Sequence, residues 1–310
     1  MTGIGSVCDP RGADRPRRPS GGGVPGRGPG GLVRPGSRAA LDLGTSRTRL
    51  MMSGTLAIVD QPSAVPAAPA RDGASGPHDA PDTSDALDAL GALGAPEMLR
   101  PIRHGMVTST AACARLARRV LRSAAPHGAP PLERVLLGVP VAASALDRRA
   151  AGTAVGSAAG CPVVIVEEPL AAAVGCGVDV TDPLPRLLLD VGAGIIEGVV
   201  IRDGAVVDAG AVQIPPGSSG DLPPHVGDQV AMVLAELLAR VPANRRRAVR
   251  ERGLLLTGGG VRRPELARRL CARLGMTVSP ALEPAHATVR GLARLCVMPD
   301  LLDLLVARQR

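Results

Sequence analysis

Two stretches of the chain carry the residue types of an anion site. Ala40-Leu41-Asp42-Leu43-Gly44-Thr45-Ser46-Arg47-Thr48-Arg49 and Leu188-Leu189-Asp190-Val191-Gly192-Ala193-Gly194-Ile195-Ile196-Glu197 each read as an apolar strand ending in Asp, a small-residue turn and a return strand. Glycine in such a turn removes the Cβ that would keep a phosphate from the backbone N–H groups. An Asp at the strand end can hold Mg²⁺, usually through water. Two such hairpins facing each other can grip a nucleoside triphosphate from both sides. A third cluster, Leu254-Leu255-Leu256-Thr257-Gly258-Gly259-Gly260, follows a buried strand and opens a helix, a suitable floor for a nucleoside. One Asp-Gly hairpin is more often an ordinary turn. Two in tandem with a late strand–GGG–helix are far more specific.

These hairpins need a scaffold, and 310 residues can bury a large core as one two-lobed unit or two domains. The chain has no Phe, Tyr or Trp, and all 36 basic residues are Arg. Codon bias accounts for this, but it has consequences. The core must be packed from Leu, Val, Ile, Met and Ala, and no aromatic platform exists for stacking bases, which argues against single-stranded nucleic acid as a partner. The net charge of +8 points to an anionic partner, although much of the excess lies in the ends. Residues 1–38 set seven Arg among Gly and Pro, a composition that cannot bury enough apolar area to fold. They lack the apolar run of a signal peptide, and no stretch approaches the ~20 apolar residues of a membrane span. The 6 Cys are scattered with no CxxC pair, which fits a reducing cytoplasm and neither a zinc site nor a disulfide framework.

The elements follow from periodicity. A third strand is expected over Thr55 to Val59, then a loop or disordered insert over 61–98 with a short helix near Thr83 to Leu93. Helical spacing runs from Thr108 to Arg122 behind a Thr cap. Val135 to Val139 reads as a strand, Ala145 to Ala159 as a helix, Val163 to Val166 as a strand, and Pro169 to Gly175 as the start of a helix. The second half begins with strands at Arg186 to Asp190, Ile196 to Ile201 and Ala205 to Ile214, turning at Asp203-Gly204. A linker, Pro215 to Pro224, precedes an amphipathic helix at Val226 to Arg240. An Arg-rich stretch (Asn244 to Arg252) then leads to strand Gly253–Leu256. Helix Arg263 to Leu274, a strand near Met276 to Ser279, and helices at Ala285 to Val297 and Pro299 to Arg308 complete the chain.

The segments between the hairpins resemble those of MreB/Mbl-type bacterial actins, which determine rod shape. Val135 to Ala150 is similar to the family's "GVP…ERRA", Ile165-Val166-Glu167-Glu168-Pro169-Leu170-Ala171-Ala172-Ala173-Val174-Gly175 to "IEEPMAAAIG", Arg100 to Val107 to "RPMRDGVI", and Leu256 to Gly260 to "LTGGG". The resemblance implies an α/β, actin-like ATPase (ribonuclease-H-like) fold of two lobes. Family members carry a full upper subdomain between the second phosphate hairpin and the GGG turn. Here only Pro215 to Pro224 stands there, so one upper subdomain is missing and the other, at 61–98, is reduced. The expected organisation is a disordered tail at 1–38, a first lobe at 39–181, a second lobe at 182–284, and C-terminal helices at 285–310 returning to the first lobe.

The resemblance also assigns roles. Asp42 and Asp190 hold Mg²⁺, the bland alternative being an Asp that closes a tight turn. Gly44, Thr45, Ser46 and Arg47 of the first hairpin, and Gly192, Ala193 and Gly194 of the second, face the phosphates of ATP. Arg47 and Arg49 depart from the family's small or apolar residues; each either reaches a phosphate or ends a strand in solvent. Gly258, Gly259 and Gly260 pass under the ribose and adenine, more openly than usual because the purine-contacting helix belongs to the missing subdomain. Glu168 orients the attacking water, while Glu167 either assists or caps the following helix. The second hairpin departs from the family's "DIGGGTTE": Ile195 and Ile196 replace two Thr, which removes hydroxyl donors worth on the order of 1–3 kcal/mol each to a buried phosphate oxygen. Hydrolysis is therefore expected to be weak or absent.

The expected protein is a cytoplasmic, cytoskeletal ATP-binding protein of cell shape and wall-synthesis organisation. It would associate with itself or with another MreB-like protein. The Arg245-Arg246-Arg247 run with Arg250 and Arg252 reads as a solvated face, with peripheral contact to anionic lipid as the alternative. The loop His127 to Leu132 is a poor membrane anchor. Two other classes remain: a nucleotide-independent scaffold of the same fold, and an active ATPase or small-molecule kinase, though the acceptor pocket and base of a kinase are not evident.

Overall fold

Each half of the chain is built in the same order, and that repetition sets the hairpins face to face. In the computed structural model, which describes residues 37–67, 97–124, 130–215, 223–262 and 264–309, the first half opens with strands β1 (Ser37–Leu43), β2 (Arg47–Met52) and β3 (Ile58–Pro62). Two-residue strands β4 (Val65–Pro66) and β5 (Met98–Leu99) pair with each other, as do β6 (Ile102–Arg103) and β7 (Met106–Val107). Helix α1 (Thr110–Ala124), β8 (Leu132–Val139), α2 (Ala145–Ala159), β9 (Val163–Glu167) and α3 (Glu168–Gly175) complete it. The second half runs β10 (Arg186–Val191), β11 (Ile195–Arg202), β12 (Ala205–Gln213), α4 (Pro224–Arg240), α5 (Ala243–Arg252), β13 (Leu254–Thr257), α6 (Pro264–Leu274), β14 (Val278–Pro280), α7 (Ala287–Cys296) and α8 (Pro299–Arg308).

The two 5-stranded sheets have orders β3-β2-β1-β8-β9 and β12-β11-β10-β13-β14. In each, an antiparallel three-strand meander is followed by two parallel strands reached through helices, so position for position β10 repeats β1 and β13 repeats β8. Local chemistry marks the boundaries. Ser144 and Asp147 form a reciprocal capping box at the start of α2, and Asp203 and Gly204, with φ of 53° and 77°, make the tight β11–β12 turn.

Aliphatic side chains alone pack the core. One cluster lies between the first sheet and α1 and α2, and a second between the other sheet and α4 and α6. A third, around α3, α7 and α8, joins the two sheets and takes residues from both, including Leu136, Leu188 and Leu255. At its centre α3 and α7 cross with their backbones in contact. A Cβ on Gly175 would lie 1.9 Å from Ala287 O, and one on Gly291 would lie 1.7 Å from Ala171 O. The two contacts mirror each other, as the repeat requires.

Several expectations shift. The third strand starts at Ile58 rather than Thr55, because residues 53–57 form a turn in which Gly54 has a φ of 81° and Thr55 bonds back to Met52 O. The insert foreseen at 61–98 therefore loses its edges to β3, β4 and β5, and strand β1 begins at Ser37, inside the tail foreseen at 1–38. Ser109, not Thr108, caps α1, its Oγ accepting from Ala112 N–H at 3.3 Å. The rest of the tail, the helix near Thr83 to Leu93, most of the His127 to Leu132 loop and most of the Pro215 to Pro224 linker lie outside the described residues. Only residues 214–223 join β12 to α4, too few for a folded subdomain.

The Arg run proves to be helix α5, whose guanidiniums turn back onto the protein. Arg246 donates to Ala239 O (2.9 Å) and Val241 O (3.0 Å) at the end of α4, and Arg250 to Leu274 O (2.8 Å) at the end of α6. Arg245 reaches Pro183 O (3.0 Å) and Arg252 pairs with Asp182 (2.7 Å). Cations at helix C-termini satisfy orphan carbonyls and oppose the dipole, so of the run expected to form a solvated face, Arg247 stays in solvent paired with Glu251 while Arg245, Arg246 and Arg250 bond the protein's own backbone.

Candidate functional site

A cleft of about 400 Å³ opens between the sheets, a volume suited to a small ligand. Most of the residues singled out from the sequence line it: Asp42, Gly44, Thr45, Ser46, Arg47 and Arg49 from the β1–β2 hairpin; Asp190, Gly192, Ala193 and Gly194 from the β10–β11 hairpin; Gly258, Gly259 and Gly260 after β13; and Glu168 at the start of α3.

The parallel strands decide what stands beside each hairpin Asp. Asp42 is in register with Gly138 on β8, and Asp190 with Thr257 on β13. Thr257 Oγ1 donates to Asp190 Oδ1 at 3.0 Å. Gly138 has no side chain to offer. The space is taken by Glu168 Cγ and Thr288 Cγ2, which would lie 3.2 and 3.3 Å from a Cβ placed there. That vacancy lets the Glu168 carboxyl enter the cleft. On the next turn, Gly258 has a φ of 89°, and a Cβ would strike Val191 O at 2.4 Å and Asp190 Oδ1 at 2.5 Å. Only glycine lets this turn pass so close under the second hairpin.

The antiparallel partners differ in charge. Asp42 faces Arg49, and Asp190 faces Glu197. Arg49 Nη1 lies 3.5 Å from Asp42 Oδ2, and its Nε donates to Asp60 Oδ2 at 3.2 Å. Arg47 also serves Asp60, through Nε (2.8 Å) and through Nη2 to the carbonyl (2.9 Å). Glu197 leaves the cleft to accept Val141 N–H at 3.2 Å and Ala142 N–H at 2.8 Å, which ties the second sheet to the turn after β8. His104 Nδ1 donates to Gly194 O at 2.8 Å, and Gly105 N–H donates to Thr45 Oγ1 at 2.9 Å, so the β6–β7 turn bridges the two hairpin tips.

Burial dominates the titration. It raises Asp42 to about 6, against the pull of Arg49 and with a further push from Asp190 and Asp60. It raises Asp190 too, opposed by the Thr257 bond and Arg49. Glu168 rises well above the usual carboxylate range, first by burial and then by the charges of Asp42, Glu197 and Asp190. Burial works against ionising Asp60 as well, but the bonds and charges of Arg47 and Arg49 outweigh it and hold that carboxyl low.

The donors expected to hold a divalent ion are already engaged: Arg49 faces Asp42, and Thr257 bonds one Asp190 oxygen.

Some roles differ from expectation. Neither Arg47 nor Arg49 is a free strand end in solvent, since both are drawn onto Asp60. Glu167 neither assists in the cleft nor caps α3; it pairs with Arg148 at 3.2 Å, and its side chain makes no cap bond. Ala193 is exposed and is not among the residues with positive φ, so replacing Gly there costs little. Ile195 lines the cleft, whereas Ile196, one residue on, points into the core behind the sheet. Asp60, the turn at Gly105 beside Ile195, His286 and Thr288 were not foreseen as cleft residues. Only the alternation of side chains along β2 and β11 could have placed Arg49 and Glu197 on the cleft face.

A family model described as "MreB/Mbl protein" matches residues 36–221. The cell shape-determining protein MreB of Escherichia coli (strain K12) is 25% identical over 176 residues, 56% of this chain and 51% of its own length. That of Pasteurella multocida (strain Pm70) is 27% identical over 176 residues, 56% of this chain and 50% of its own. The chain thus spans about half the length of the curated relatives it matches. Among solved structures, MreB5 of Spiroplasma citri bound to AMPPNP superposes with a TM-score of 0.68 at 17% identity, covering 87% of this chain and 99% of that one. The MamK double helical filament gives 0.64 at 16%, covering 84% and 98%. These likenesses show an actin-like fold.

Proposed function

The chain belongs to the MreB/Mbl family of actin homologues, and from that membership we propose that it is a cytoskeletal ATP-binding protein acting in cell shape and the organisation of wall synthesis, with slow hydrolysis. The observation that carries the proposal is the convergence of both hairpins and the glycine turn on one cleft. The Spiroplasma relative's structures bound to AMPPNP and ADP support a nucleotide as its occupant. Backbone N–H groups of Gly44 to Ser46 and Gly192 to Gly194 would hold the phosphates, with the turn at Gly258 to Gly260 beneath the nucleoside. Mg²⁺ is left out of this reading because Arg49 and Thr257 already engage the two carboxylates expected to hold it.

Slow hydrolysis rests on two features. Ile195 brings an aliphatic side chain where a donor would face the terminal phosphate. Burial and the neighbouring carboxylates push Glu168 well above the usual carboxylate range, which weakens it as an acceptor for a water proton. Self-association is the natural partner interaction for a relative of the MamK filament. Among the described residues no helix is long and apolar enough to cross a membrane, and the scattered cysteines fit the cytoplasm.

Calorimetric titration of the full chain with ATP tests the reading, followed by phosphate release and sedimentation with and without nucleotide. Saturable binding with turnover far below ordinary ATPase rates is expected. No heat at any ATP concentration would leave a nucleotide-independent scaffold as the function.

A further inference from the structure

The residue that sits where the cleft's metal is expected is itself a cation. Arg49 faces Asp42 directly across the first hairpin, and its side chain is only 13% exposed. Its Nη1 meets Asp42 at 3.5 Å and its Nε meets Asp60 at 3.2 Å. Nη2 lies 3.9 Å from the place a Cβ on Gly259 would occupy. The group therefore reaches from the first hairpin toward the glycine turn, across the floor that a polyphosphate would cover. Arg47, the other cleft-lining arginine among the described residues, is committed to Asp60 by two hydrogen bonds.

A guanidinium in this place can do what a hydrated divalent ion does there. It neutralises the hairpin carboxylate and presents further N–H donors to phosphate oxygens in a planar fork. Being tethered and nearly buried, it needs no recruitment from solution, and side-chain packing has already fixed its orientation. The matching position of the second hairpin holds Glu197, whose carboxylate is occupied by Val141 and Ala142, so the cationic role falls to Arg49 alone.

We propose that the cleft binds a nucleoside polyphosphate without a divalent cation, the Arg49 guanidinium serving as the resident countercharge between the hairpins. The proposal rests on the nucleotide reading above and adds the metal state of the ligand.

The test measures ATP affinity by calorimetry on the full chain, once in excess EDTA and once in excess MgCl₂. The native protein should bind within about threefold in the two buffers. Arg49→Met should lose roughly 10–100-fold in EDTA, the worth of charge-assisted bonds to phosphate, and regain part of it with Mg²⁺. Arg49→Lys, which keeps a cation, should hold most of the EDTA affinity. Circular dichroism checks that each variant is folded, and the native comparison alone decides the matter if Arg49→Met is not. Native binding that appears only with Mg²⁺ overturns the proposal and leaves the nucleotide reading standing. Equal EDTA affinity of native protein and a folded Arg49→Met overturns the role of Arg49. Absence of binding in both buffers removes the nucleotide reading, and this proposal with it.

Discussion

Replacing Gly291 by Ala should be among the most damaging single-methyl changes in this protein. The new Cβ would sit 1.7 Å from Ala171 O and 2.9 Å from Gly175 N. Carbon and carbonyl oxygen approach no closer than about 3.3 Å without repulsion, so α3 and α7 would have to separate by roughly 1.5 Å. The obstructing atoms are backbone, and no rotamer change can relieve the clash. Overpacking that a side chain can absorb costs about 1–3 kcal/mol. Here the movement also unpacks Leu170, Val289 and Leu292, all fully buried, so the cost should reach about 3–5 kcal/mol. For a unit of this size each kcal/mol moves the melting point by roughly 2–4 °C, which predicts a fall on the order of 10 °C or failure to fold. The chain has no Trp or Tyr, so far-ultraviolet circular dichroism is the natural readout.

Gly152→Ala provides the control. It lies inside α2, and its Cβ would meet nothing nearer than Ile165 Cδ1 at 3.7 Å. There the same substitution should stabilise by about 0.5–1 kcal/mol, because alanine gives up less backbone entropy on entering a helix. Identical chemistry should thus act with opposite sign at two helical glycines. A Gly291→Ala protein melting within about 2 °C of the parent would mean that the helices have slack, and that the backbone contact does not hold Glu168 and Thr288 in the cleft.

Other outcomes follow from single residues. Burial raises Glu197 from 4.5 to about 7 against its two N–H bonds; the folded chain then binds this proton more tightly than the unfolded chain, so stability is greatest below about pH 4.5 and falls by about 3 kcal/mol as pH rises to 7. Melting points across that window should decline for the native protein and decline less steeply in Glu197→Gln, where Asp42, Asp190 and Glu168 still act, and a native profile that rises with pH would contradict this. Ile195→Thr, which places a hydroxyl in the cleft, should raise ATP turnover, and adding Glu168→Ala should remove the gain. Ile196→Thr should instead cost about 1–3 kcal/mol for a hydroxyl buried in the core and leave turnover unchanged; a gain in turnover from Ile196→Thr would mean that the two side chains are assigned to the wrong faces.

The hairpins were legible because Asp-x-Gly after an apolar run is a local pattern, and their chemistry depends on backbone approach more than on distant partners. Helix α2 was equally plain, since its capping box and terminal Gly160 are local signals. The role of the Arg run was not. The guanidiniums of Arg245 and Arg250 are oriented by carbonyls far along the chain, Pro183 O and Leu274 O, and no spacing rule announces that. Equally hidden was the α3–α7 crossing. Alanine and glycine in a helix look like weak propensity choices until the partner helix is present, and only then does Gly175 become a contact surface for Ala287 and Gly291. The pairing of Ile195 with Ile196 misled for a different reason: side chains alternate across a strand, so adjacent substitutions have unrelated consequences.

What sets this site's character is the way its two halves break their own repetition. Both Asp residues end equivalent strands and face the same cleft, yet the residues opposite them carry opposite charge. Arg49 neutralises Asp42 within the first hairpin, whereas Glu197 adds to the carboxylates around Asp190 and Glu168 and is accommodated by bonding to the far lobe. Thr257 beside Asp190 and Gly138 beside Asp42 extend the contrast, the first filling its corner with a hydroxyl and the second leaving room for Glu168. A fold that supplies two equivalent phosphate hairpins therefore becomes an asymmetric site, with both arginines that line the cleft on the first hairpin and, among the described residues, none on the second. The asymmetry comes from a few side chains on an otherwise repeated backbone.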